Sequence, residues 1–140
     1  MMADLICPFS ATLAQKRDYS CPCADEVIRR GGAEYVCLQS TSHAVCNDVH
    51  DQLKKVYLES QGLEDDLLSL PHSMFVKIQF GCVRGLQSAL GRDVAKIEDI
   101  GALIADIIEQ YKRIDVLPFE SVNEQITTYK LQRRGKRNKP

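Results

Sequence analysis

The chain has 140 residues, enough for one domain that buries on the order of two thirds of the surface an extended chain exposes, so no staple is required to give it a core. Its 44% hydrophobic and 26% charged residues are ordinary globular usage, which excludes both a disordered chain and a minimal disulfide scaffold. The net charge of -1 hides an asymmetry: six basic residues and no acid from Lys130 onward leave 12 basic against 19 acidic residues before them, an acidic body ending in a basic tail.

No run approaches the roughly 18 apolar residues of a membrane span. The start, Met1-Met2-Ala3-Asp4-Leu5-Ile6, lacks the basic and long apolar regions of a secretory leader, so a cytoplasmic protein is expected. In that reducing compartment clustered cysteines serve as metal ligands or reactive thiols more often than as structural disulfides.

From Met1 to about Ser42 the chain is rich in Cys, Pro, Gly, Ser and Thr, and its apolar periodicity is short. This predicts loops around one or two short helices. Asp25 to Arg30 is predicted as one of them, with Val27 and Ile28 inward and Gly31-Gly32 as its stop; Tyr35 to Leu38 suggests a brief extended piece. Helical spacing then takes over. Val45, Val49, Leu53 and Val56 predict a helix over 43–60, capped by Thr41 or Ser42 and ended by Gly62.

After an acidic-apolar connection from Leu63 to Leu70, Ser69-Leu70-Pro71 offers a cap and a first-turn proline. Phe75, Ile78, Cys82, Leu86 and Ala89 share one helical face, widened by Val76, Phe80, Val83 and Leu90, with Gly91 as the stop. Residues 74–80 also alternate like a strand, but the helical pattern continues for five turns and is preferred. Gly81 and Gly85, four apart, would admit a second backbone at close range. Ile97, Ile100, Leu103, Ile104, Ile107, Ile108 and Tyr111 form the clearest amphipathic stripe, with acids at its start and bases at its end to suit the helix dipole. A last helix begins at Leu117-Pro118, with Phe119, Val122, Ile126 and Tyr129 inward. The expected fold class is all-α: a single helical domain over 1–130, in which a Cys-rich N-terminal segment (1–46) packs on a bundle of about four helices, and a basic flexible tail over 131–140.

Five of the six cysteines, Cys7, Cys21, Cys23, Cys37 and Cys46, fall in the first third of the chain. Soft thiolates select iron–sulfur clusters, zinc or Cu(I), and a cluster needs about four of them at one place. Cys7-Pro8 and Cys21-Pro22 are like the Cys-Pro ending of bacterial cluster-binding runs. The intervals, however, contain neither the close Cys-x2-Cys steps of ferredoxins nor the paired CxxC knuckles of zinc ribbons. Such long spacing requires that the fold itself bring the sulfurs together. An iron–sulfur cluster, of the [4Fe-4S] type, is therefore the expected cofactor, with these five cysteines as the candidate ligands. Cys7, Cys37 and Cys46 are the stronger candidates, and Cys21 and Cys23 compete for the remaining place. Structural zinc, in an interaction module for protein or nucleic acid, is the first alternative. A thiol redox protein with a low-pKa Cys23 at a helix start is the second.

His43, Cys46 and His50 lie on one face of the predicted 43–60 helix, so a histidine could join Cys46 as a ligand, although a solvated face is the simpler reading. Cys82, on an apolar face, is expected in the core, His72 at a helix start, and Glu64-Asp65-Asp66 as a solvated helix start. No hydrolase triad, phosphate-binding loop or paired-carboxylate site is legible, so electron transfer, redox sensing or an accessory role in a redox complex is expected rather than stand-alone catalysis. The basic tail could meet an acidic protein, an anionic membrane surface or nucleic acid.

Overall fold

The computed structural model describes residues 5–15, 18–29, 32–63 and 72–129. The expected helix start at Ser69-Leu70-Pro71, the acidic trio at 64–66, the turn residue Gly31 and the basic tail from Lys130 lie outside the described residues. Helix predominates: α1 (Ser10–Gln15), α2 (Ser40–Ser60), α3 (His72–Ala89), α4 (Ile100–Tyr111) and α5 (Phe119–Thr128), with a 3-10 turn at Ile114–Val116. The expectation of a mainly helical protein is met.

One element is of the other kind. Ala24–Arg29 is a strand (β1), paired antiparallel with Gly32–Cys37 (β2). The helix predicted over Asp25–Arg30 is thus corrected to half of a hairpin, and the extended piece at Tyr35 to Leu38 belongs to its other half. The physical reason is non-local. A six-residue segment is too short to hold a helix by itself, whereas as a strand it pairs along its whole length, from Ala24 opposite Cys37 to Arg29 opposite Gly32.

Residues 75–80 are helical, within α3. This is the most buried helix, as its wide apolar face demands: Val76, Ile78, Phe80, Cys82, Val83 and Leu86 are all in the core. The two glycines meet α5. A Cβ on Gly81 would collide with the backbone of Ile126, and one on Gly85 would stand 2.9 Å from Val122 N, so both positions must lack a side chain for the two helices to touch. Phe80 then stacks on Tyr129 at 4.7 Å between ring centroids.

The α4 stripe is helical from Ile100, three residues later than its first apolar member. Ile97 instead makes an isolated parallel bridge with Tyr19. Asp99 caps the helix by accepting from Ala102 N at 2.9 Å, and Lys112 closes it in the left-handed conformation, φ 71°.

In α2 the inward face is rotated from the expected one. Cys46, Val49, Leu53, Tyr57 and Leu58 are buried, while Val45 is exposed. Cys46 joins the inward face because a free cysteine packs as a small hydrophobe, and Val45 is left outward.

Candidate functional site

Backbone pairing at one end of the hairpin gathers three of the cysteines. Ala24 lies opposite Cys37 in the ladder, and Leu38 N donates to Cys23 O at 2.7 Å. On the other edge of β2, Cys7 N donates to Tyr35 O at 2.9 Å and Cys37 N to Leu5 O at 2.7 Å, with Ile6 bridged to Val36. Residues 5–7 therefore run as a third short edge strip, and Cys7, Cys23 and Cys37 come to neighbouring strands of one small surface.

Two helix starts close the site. His43, in the first turn of α2, places Nε2 3.0 Å from Ile6 O, which fixes that turn over the strip and sets Cys46, one turn further, toward Cys7. On the other side Ser20 N donates to Ile97 O at 2.9 Å and Ile100 N to Ser20 O at 3.0 Å. These bonds lay Cys21 against the start of α4, with Cys21 Sγ 4.0 Å from Asp99 Oδ1. A Cβ on Gly101 would be 3.5 Å from that sulfur.

The outcome is one small, largely enclosed cavity of about 20 Å³, bordered by Cys7, Cys21, Cys23, Cys37 and Cys46. All five cysteines singled out in the sequence line it, from four separate parts of the chain. Pro8, Ala24, Ser42, His43, Ile100 and Gly101 complete the wall. All six cysteines are free. Cys82 stands apart, fully buried in the core, as its apolar face predicted.

Burial governs the thiols of Cys46 and Cys7. It pushes Cys46 up to about 12, with the neighbouring cysteines Cys7, Cys21, Cys37 and Cys23 adding to the rise. Cys7 is pushed up to about 11 by burial, offset in part by the Phe9 N–H that points at its sulfur from 3.4 Å. Cys23 is raised too, by desolvation first and then by Cys21, Cys37 and Asp99. The helix start expected just after Cys23 is a strand. A thiolate held here needs a cation to offset its charge, which is how metal binding displaces thiol protons.

The two histidines of α2 part company. His43 lines the cysteine cavity. His50 packs edge-on against Phe9 at 5.5 Å and sits 3.3 Å from Asp51 Oδ1, on the far side of Cys7. Nothing in the sequence pointed to Ile100 and Gly101. The one available signal was a glycine directly inside a helix start, where the missing side chain leaves room for a neighbour.

Among the described residues no group of three or more His, Cys, Asp or Glu is arranged to hold a metal ion. No helix among the described residues is long and apolar enough to cross a membrane. No protein-family description, no curated protein and no solved structure matches this chain.

Proposed function

We propose that this protein holds one iron–sulfur cluster, [4Fe-4S] in type, through four of Cys7, Cys21, Cys23, Cys37 and Cys46, and that it works in one-electron transfer, redox sensing or as the cluster-bearing subunit of a redox complex. A single observation carries the reading: five cysteines scattered over forty positions of sequence border one cavity. The free thiols of Cys7, Cys21, Cys23, Cys37 and Cys46 suit the reducing cytoplasm proposed as its location.

When bound, the cluster supplies a reversible one-electron centre. The chain's own groups would tune it. The Phe9 N–H directed at Cys7 Sγ withdraws charge from that ligand, and hydrogen bonds to sulfur are among the factors that set cluster potential. The α4 start, presenting Ile100 and Gly101 to the cavity, adds the positive end of a helix dipole beside an anionic cluster. Ile100, Ala24 and Pro8 keep water from much of the wall. The fifth cysteine leaves one thiol in the cavity beyond those a [4Fe-4S] core needs, which favours a centre able to exchange a ligand.

The test is anaerobic purification or reconstitution with ferrous iron and sulfide. The expected product is brown, with visible thiolate-to-iron absorbance and bound iron and sulfide in equal amounts. A colourless protein carrying stoichiometric zinc, or none of these metals after reconstitution, would overturn the reading.

A further inference from the structure

Few large apolar side chains are exposed on the described surface, and three of them sit directly beside cavity cysteines. Ile6 is 45% exposed next to Cys7, Leu38 66% exposed next to Cys37, and Val45 41% exposed next to Cys46. Each cysteine lines the cavity while its neighbour is exposed, so three apolar side chains stand beside the cavity. Val45 also borders a groove between α2 and α4 that shares Ser42, Cys46 and Gly101 with the cavity wall. The apolar ring is thus continuous with the candidate site.

Outside this ring acidic residues outnumber basic ones: Lys112, paired with Glu109 on the groove beside Val45, and Lys96 are the basic members among the described residues. Asp25 and Glu26 are exposed on β1, two and three residues after Cys23, Asp99 lies beside Cys21, and Glu98 is exposed next to it, with Lys96 3.3 Å away. An apolar centre within a charged rim is the anatomy of a protein interface, and small interfaces of this type are used in brief electron-transfer encounters. The sign of the rim selects the partner. A second copy would set acid against acid, and nucleic acid or an anionic membrane would be repelled.

From these observations, and resting on the cluster reading above, we infer that the face formed by Ile6, Leu38 and Val45 is the docking surface for a redox protein whose own centre lies within a basic rim. One electron passes between the two centres in this complex; no bond is made or broken and no proton moves. The acidic rim steers the encounter and the apolar ring excludes water where the centres approach.

The experiment uses reconstituted, dithionite-reduced protein mixed in a stopped-flow instrument with ferric cytochrome c, a basic haem protein, and in parallel with an acidic one-electron acceptor protein. The rate with cytochrome c is expected to exceed that with the acidic acceptor and to fall by about tenfold or more from low to high salt, the scale of electrostatic steering. Asp25→Lys with Glu26→Lys should remove most of that salt dependence. Leu38→Ser with Val45→Ser should lower the high-salt rate by about threefold to tenfold, through loss of the apolar centre, while visible absorbance and iron content stay unchanged. Equal rates and equal salt dependence for the two acceptors would overturn the inference, as would serine variants that react like the parent. A dimer in sedimentation that Leu38→Ser dissolves would assign the face to a second copy and overturn it too. Protein that takes up no iron or sulfide would sink the cluster reading and this inference together, whereas a brown protein indifferent to acceptor charge would sink only this one.

Discussion

Cys46 and Cys82 are both buried, at 8% and 0% exposure, and burial raises both thiols, yet they belong to regions built on different terms. Cys82 lies in α3, where Gly81 and Gly85 admit α5 and the neighbours are hydrocarbon; it fills volume. Cys46 faces Cys7, Cys21, Cys23 and Cys37 across a cavity assembled by backbone pairing of the 5–7 strip with the hairpin and by two helix starts. Burial and thiol chemistry are therefore shared, and convergence alone separates ligand from packing. The core end needs only shape. The cavity end needs several distant segments held in register before it has any use.

That contrast is broken most directly at the cysteines. Cys7→Ser or Cys46→Ser should abolish cluster uptake or leave iron and sulfide at a small fraction of the parent's, read by metal analysis and visible absorbance, whereas Cys82→Ser should leave both unchanged. Equal loss for Cys82→Ser would erase the distinction. A second variant addresses the core end. Gly81→Val forces a side chain into the Ile126 backbone and should cost about 1–3 kcal/mol or more in chemical denaturation, yet still yield brown protein at low temperature if the two regions are as separate as their contacts suggest. Smaller again is Asp99→Ala, which removes the cap on Ala102 N for about 1 kcal/mol of stability. Because Asp99 also neighbours Cys21, this change should move the midpoint potential of the reconstituted protein, a shift that a merely structural cap would not produce.

The helical region was the more legible in sequence, and for a physical reason. Ile100, Leu103, Ile104 and Ile107 repeat with the helical period, and all four are buried, because a long amphipathic helix carries its own instructions for which side faces the core. The Gly81 and Gly85 spacing likewise announced a close approach, with only the partner helix left unnamed. The cysteine end carries no such local code. Asp25–Arg30 resembles a short helix until β2 is set beside it, and Val45 looks inward until Cys46 is counted as apolar. Which cysteines would be neighbours was readable only as a guess from number and clustering, since Cys7 reaches Cys37 through bonds between Leu5 and Cys37 and between Cys7 and Tyr35 that no spacing rule foretells. Gly101 was invisible as a wall residue, because its contact with Cys21 depends on the Ser20 backbone bonds that dock the two segments.

The weakest expected effect bears on Cys82 alone. Full burial, opposed only in part by Lys54, holds its thiol above the usual range for cysteine. The folded state then keeps this proton at pH values where the unfolded chain, with a thiol near 9.0, has begun to lose it. More protons bound to the folded form means stability falls as pH rises. The contribution is whole below the unfolded pKa and declines from about pH 9 upward toward the folded value. In urea titrations of the apoprotein, Cys82→Ala should therefore lower stability at neutral pH through lost packing, by about 1 kcal/mol for one small side-chain group. Its decline above pH 9 should also be shallower than the parent's. Parallel curves for parent and variant would mean that Cys82 reaches water in the folded state and would remove the basis for treating it as pure core.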